Sequence, residues 1–147
     1  MGLQLVDTHH LVASRLREAG QVYTKGRREL VELLLHAGRP ATVPEMMELH
    51  PRLTQSSLYR NMADLENLGI VRRVAGVDDQ TRYEFTVEII GQHHHTICTV
   101  CGGVADFFIP ATAEYNLETA LDEALSTTGF QTKSHRLDVF GTCPDCS

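Results

Sequence analysis

Apolar positions recur at helical spacing through the first half of the chain and give way to short strand-like runs beyond residue 69. Leu11, Val12 and Leu16 mark a helix over residues 9–19, stopped by Gly20. Thr24 is placed to cap a second helix over 25–36, striped by Leu30, Val31, Leu34 and Leu35. Gly38, Arg39 and Pro40 break the chain. Pro44 opens a short helix to residue 49, ended before Pro51. Thr54 or Ser56 caps a longer helix to residue 68, with Leu58, Met62, Leu65 and Leu68 facing inward and Gly69 closing it. Two strands, 70–74 and 82–87, follow around a polar turn at Gly76-Val77-Asp78-Asp79.

Three helices and then a hairpin is the winged-helix order. In helix-turn-helix proteins the helix after the turn enters the major groove, while phosphate contacts hold it in register. That role falls to residues 54–68, with Gln55, Ser57, Tyr59, Arg60 and Asn61 on or near the outer face. Arg60 suits guanine edges or phosphate, and Tyr59 suits phosphate or a thymine methyl. Arg72 and Arg73 on the wing are placed to meet the backbone. The plainer reading is a solvated amphipathic helix, since Asp64 and Glu66 make it partly acidic.

The densest chemistry lies at 92–103, where three adjacent histidines, His93, His94 and His95, run into Cys98-x-x-Cys101. A second pair, Cys143 and Cys146, follows after a gap of 41 residues. Two Cys-x-x-Cys knuckles supply the four thiolates of a tetrahedral structural zinc, and the long gap asks for a small subdomain between them. A disulfide frame and a redox dithiol are the rival readings. The chain shows no segment resembling a signal peptide, so a cytoplasmic location and reduced thiols are expected. If 93–98 is a strand, as β-branched Thr96 and Ile97 suggest, His93 and His95 share one face and His94 points the other way. Ligands for two different metal sites then sit on one short strand; an exposed polar strand is the bland alternative.

Charge divides along the chain. Residues 1–76 carry +2 and residues 77–147 carry −8, giving the overall −6. A mildly basic first half can face phosphate, and an acidic, histidine-rich second half suits cations. At 147 residues the chain can hold one mid-sized domain or two small ones. No run long and apolar enough to span a membrane is visible, so no membrane partner is expected.

Taken in order, these residues resemble the ferric uptake regulator (Fur) family of bacterial metal-dependent repressors. The matching pieces are Thr24-Lys-Gly-Arg27, Ser57-Leu-Tyr59-Arg60, Leu68-Gly-Ile-Val71 and Arg82-Tyr-Glu-Phe85. They continue through His93-His-His95-x-x-Cys98-x-x-Cys101-Gly and His135-x-x-x-x-Phe-Gly-x-Cys143-x-x-Cys146. The resemblance implies an α+β protein: a winged-helix DNA-binding domain over 1–87, a hinge near 85–92, and a small α/β dimerisation domain over 93–147. Strands at 94–98, 104–108 and 133–141 and a helix at about 112–127 would build the second domain. Cys98, Cys101, Cys143 and Cys146 fall on the family's structural zinc ligands. Glu84, His93, His95 and Asp106 fall on a regulatory site between the domains, and His94, Glu114 and His135 on a third site. Partners would be a second copy of the chain and a pseudo-palindromic double-stranded operator.

The sequence departs from the family pattern at 38–43, where many members supply a regulatory-site histidine and this chain has none; His36 lies nearby on the preceding helix. Gln92 stands where some members carry a third-site histidine. All four cysteines are used by the knuckles, which leaves nitrogen and oxygen donors that suit Fe(II), Zn(II) or Mn(II) at the regulatory site. Fe(II) is placed slightly ahead, with zinc-uptake regulation or peroxide sensing as alternatives within the family. Outside it stand a zinc-ribbon interaction or metal-storage protein and, less favoured, a zinc hydrolase, because no nucleophile or second acid–base motif accompanies the cluster.

Overall fold

A computed structural model describes residues 2–147, with side chains from residue 7 onward. The chain runs α1 (Gly2–Glu18), α2 (Lys25–Ala37), β1 (Ala41–Thr42), α3 (Val43–Leu49), α4 (Gln55–Asn67), β2 (Val71–Ala75), β3 (Thr81–Phe85), α5 (Val87–Ile90), β4 (His94–Cys98), β5 (Val104–Phe107), α6 (Ala111–Leu125) and β6 (Asp138–Gly141), ending in a single 3-10 turn, Pro144–Cys146. This is an α+β protein of helices and two small sheets.

Local chemistry sets the helix ends. The Thr24 hydroxyl accepts from the Arg27 N–H and opens α2, while Gly38 at φ 61° closes it in the left-handed conformation that glycine tolerates. Thr42 and Glu45 form a reciprocal capping box at α3. Thr54, rather than Ser56, caps α4 through the Ser57 N–H. The first helix begins at Gly2 instead of residue 9, because nothing between Gly2 and Thr8 breaks a helix.

The main core gathers Val12 and Leu16 of α1, Leu30, Val31 and Leu34 of α2, Met46 of α3, and Leu58, Met62 and Leu65 of α4 against Ile70, Val71, Tyr83 and Phe85. These are the stripes of the sequence, and each buried Leu or Met contributes about 1.5–3 kcal/mol of transfer free energy. The first sheet, in order β1-β3-β2, carries the wing, with Arg72 directly opposite Glu84. Two short elements escape the sequence reading. Strand β1 is only two residues long, and α5 occupies the expected hinge because β3 stops at Phe85, two residues early. Thr86 then turns its hydroxyl to donate to Gly69 O at 2.8 Å, holding that corner to the end of α4.

The second sheet has the order β5-β4-β6. Strand β6 begins at Asp138, not at 133. Its parallel register pairs His95 with Asp138, and Leu137 O still accepts from the His95 N–H at 3.3 Å, so the residues before 137 run past the start of β4. The two sheets meet through a second, small cluster of Val74, Ile97 and Val104. Gly102, at φ 75°, lets the first Cys-x-x-Cys turn approach the wing: a Cβ there would sit 2.5 Å from Asp78 Oδ2.

Candidate metal centres and DNA-facing helix

Cys98 ends β4, Cys101 lies in the tight turn that follows, and after β6 Cys143 precedes and Cys146 ends the 3-10 turn. All four Sγ atoms lie within 4.8 Å of one another, and none is in a disulfide. The Cys143 N–H donates to Cys98 Sγ and the Gly103 N–H to Cys101 Sγ, both at 3.4 Å, the amide-to-sulfur bonds that favour thiolate. Backbone N–H groups of Cys101 and Cys143 hold the Cys98 thiol down at about 6. The hydrogen bond to Cys143, with burial, pushes the Cys146 thiol up to about 12. Four sulfurs this close cannot all ionise unless a cation joins them, and the donor set is that of zinc.

The second cluster joins the two sheets. Glu84 comes from β3, His93 from just before β4, His95 from β4, and Asp106 from β5, where it pairs with His95 in register. Glu84 Oε2 lies 2.9 Å from both His93 Nε2 and His95 Nε2, and Asp106 Oδ1 lies 3.5 Å from His95 Nε2. The His93 Nδ1–H donates to Gly91 O at 2.9 Å, which leaves Nε2 as the ligating atom. Burial would raise the Glu84 carboxyl, but hydrogen bonds from His93 and His95 hold it down at about 2. The hydrogen bond to Glu84 in turn raises His93. Burial and the nearby Glu84 charge raise Asp106, whose Oδ1 is buried without a hydrogen-bond partner. A divalent cation fits this set: it would meet an orphaned oxygen, a carboxylate and two imidazole nitrogens at one point.

The third cluster lies on the opposite face of β4. His94 Nε2 is 2.8 Å from Glu114 Oε2, and His135 Nε2 is 2.7 Å from Glu114 Oε1. The single carboxylate of α6 thus holds two stacked imidazoles, and the hydrogen bond from His94 lowers its pKa. Gln92 Nε2 stands 3.5 Å from His135 Nε2 at the edge of this group.

Near the second cluster a cavity of about 780 Å³ opens beside the end of α2, lined by Leu34, Phe85, Ile90 and Phe108, with His36 and Arg39 also on its wall. Arg39, in the stretch where the family pattern has its histidine, is bonded to Glu45 at 3.2 Å.

On α4, Gln55, Tyr59 and Arg60 are exposed, while Ser57 and Asn61 are half-buried and bonded to each other at 3.3 Å. Arg73 is exposed on the wing but bonded to Glu66 at 3.0 Å. Arg72 turns toward the second cluster, where its guanidinium meets Glu84. Sequence reasoning missed two residues beside that cluster. Arg72 was expected only at DNA. Asp138 places Oδ1 3.6 Å from His95 Nδ1 and is held by Arg136 at 2.8 Å. The signal for both was register: each stands beside a candidate ligand on a neighbouring strand.

The sequence model described as the ferric uptake regulator family matches residues 18–140, and the chain belongs to that family of metal-dependent transcriptional repressors. Among its relatives, the peroxide operon regulator of Bacillus subtilis (strain 168) is 27% identical over 136 residues, covering 90% of this chain and 88% of the relative. A peroxide-responsive repressor of Staphylococcus epidermidis is 27% identical over 150 residues, covering 98% of this chain and 94% of the relative. The ferric uptake regulator of Helicobacter pylori shares the fold at a TM-score of 0.73 and 23% identity, over 97% of this chain and 93% of that one. The Francisella tularensis ferric uptake regulator does so at 0.66 and 20% identity, over 86% and 95%.

Proposed function

We propose that the chain is a homodimeric, metal-responsive repressor whose sensing centre is Glu84, His93, His95 and Asp106. One observation carries this reading: Glu84 of the wing sheet and the histidines of the second sheet converge on a single point, with Glu84 Oε2 2.9 Å from each imidazole. A bound divalent ion would supply one positive centre that both sheets share. Glu84 then ties β3 to β4, and the angle between winged helix and dimerisation domain is held at one value. In a dimer at that angle the two α4 helices fit successive major grooves of a pseudo-palindromic operator. Cys98, Cys101, Cys143 and Cys146 hold structural zinc, and His94, Glu114 and His135 form a third site. The Helicobacter pylori relative is described as having three functional metal-binding sites, which supports this count.

The second copy has a face to meet. Helix α6 buries no residue, and Tyr115, Phe130, Val139 and Phe140 all stand exposed around it and β6. No described helix is long and apolar enough to cross a membrane. The relatives are regulators, and we read this chain as one rather than as a zinc hydrolase or a metal store.

We place Fe(II) slightly ahead of Zn(II) as the sensed ion, since the shell holds two imidazoles and two carboxylates and no thiolate. Zinc binds such donors more tightly in solution, so occupancy must be read in cells starved of one metal at a time. Iron limitation is expected to release repression; release on zinc limitation alone would make the chain a zinc-uptake regulator. The relatives named as a peroxide operon regulator and a peroxide-responsive repressor favour one second reading, in which the Fe(II)-loaded protein loses operator affinity on exposure to hydrogen peroxide. Oxygen added to His93 or His95, located by peptide mass spectrometry, would establish it, and unmodified histidines would exclude it.

Tyr59→Phe combined with Arg60→Ala is expected to weaken operator binding with metal affinity unchanged. Loss of a base contact costs about 1–3 kcal/mol, and loss of a phosphate contact makes the salt dependence shallower. Full affinity of the double variant in an electrophoretic shift would remove α4 from the groove.

A further inference from the structure

We propose that Arg72 tunes the metal preference of the sensing centre by withholding one oxygen of Glu84 from the ion. This rests on reading the Glu84 cluster as a metal centre. Arg72 stands opposite Glu84 in the β2–β3 register, and its Nε and Nη2 both lie 2.7 Å from Oε1. The other oxygen, Oε2, is the one that faces His93 and His95 at 2.9 Å. The two oxygens are therefore divided between a fixed cation and the ligand cluster.

A carboxylate can ligate through one oxygen or chelate through both. Chelation would need Oε1 to leave two charge-assisted hydrogen bonds, which are about twice as strong as neutral ones. Glu84 is 3% exposed at its side chain, so water has little access to replace them. The centre thus offers one oxygen of Glu84, two imidazole nitrogens and Asp106. Ions content with few donors and fond of imidazole, Zn(II) and Fe(II), fit such a set. Mn(II), which favours carboxylate and more ligands, is disfavoured. Arg72 is a positioning residue: it acts on the ion only through Glu84.

The test uses full-length dimeric protein with its structural zinc in place and compares wild type, Arg72→Met and Arg72→Lys. The ratio of Mn(II) to Zn(II) affinity at the sensing centre is measured by competition, and Co(II) loaded there is read by its visible absorption. Arg72→Met is expected to raise the Mn(II)/Zn(II) ratio about tenfold, the scale of an outer-shell change. It should also weaken the Co(II) bands, as an added carboxylate oxygen raises the coordination number. Arg72→Lys should fall between, because one ammonium can still hold Oε1. An unchanged ratio and spectrum in Arg72→Met, or an equal loss for both ions, overturns the proposal. Unchanged metal binding with weakened operator binding would make Arg72 a DNA contact instead. If the wild type takes up no ion that His93→Ala with His95→Ala removes, the metal-centre reading itself fails, and this proposal with it.

Discussion

Cys98→Ser and Cys143→Ser are each expected to release the zinc proposed for the four sulfurs, loosen residues 99–147 and return the dimer to monomers. The C-terminal part has little else to hold it. Helix α6 buries no residue, and the only apolar cluster touching β4 and β5 among the described residues is Val74, Ile97 and Val104. Strand β6 pairs with β4 across a chain gap of 39 residues between Cys98 and Asp138, a closure whose entropy must be offset. The four sulfurs lock that closure at its end, because Cys98 and Cys101 follow β4 while Cys143 and Cys146 follow β6. Structural zinc contributes folding free energy on the order of 10 kcal/mol, more than a domain of this size retains in net stability. The main core of α1–α4 shares no sulfur with the site and should keep its helix signal. Metal content after chelation and mass by light scattering give the answer: a serine variant that stays dimeric with one zinc per chain would mean that the cysteines hold no structural ion.

The first half was legible because its stripes obey one period and its ends carry their own caps. Thr24 and Thr54 each bond the backbone N–H that helix chemistry assigns them, as does Thr42, a cap the sequence reading did not name. The histidine run was legible for the same reason at period two: in the structure His93 and His95 face Glu84, and His94 faces Glu114. What escaped depended on pairing rather than period. Strand β1 is too short for any pattern, and its pairing with β3 is set by the register Ala41–Tyr83. The truncation of β6 follows from where β4 begins, a fact about another segment. Arg72 reads as a wing cation in one dimension and becomes a partner of Glu84 only when β2 lies beside β3. A sequence read residue by residue shows faces; which face meets which ligand is decided by the neighbouring strand.

His93→Ala with His95→Ala is expected to abolish metal-stimulated operator binding and leave the dimer and the sulfur-bound zinc intact. Both imidazoles meet Glu84 Oε2, so the pair supplies half of the four-residue cluster. Their loss should exceed the roughly 10–100-fold reduction in affinity that follows removal of an outer-shell partner. The fold has reason to survive: Glu84, the most deeply buried carboxylate of the cluster, keeps Arg72 as a charged partner at 2.7 Å. His94→Ala should do much less, because its Nε2 serves Glu114 on the other face of β4, beside His135. The structure therefore predicts an order among single variants, with His93→Ala and His95→Ala alike and His94→Ala apart. Operator affinity titrated with and without added metal across the three variants measures it. Equal losses at 93, 94 and 95 would mean that the three imidazoles serve one ion, and the two-faced arrangement on β4 would have to be abandoned.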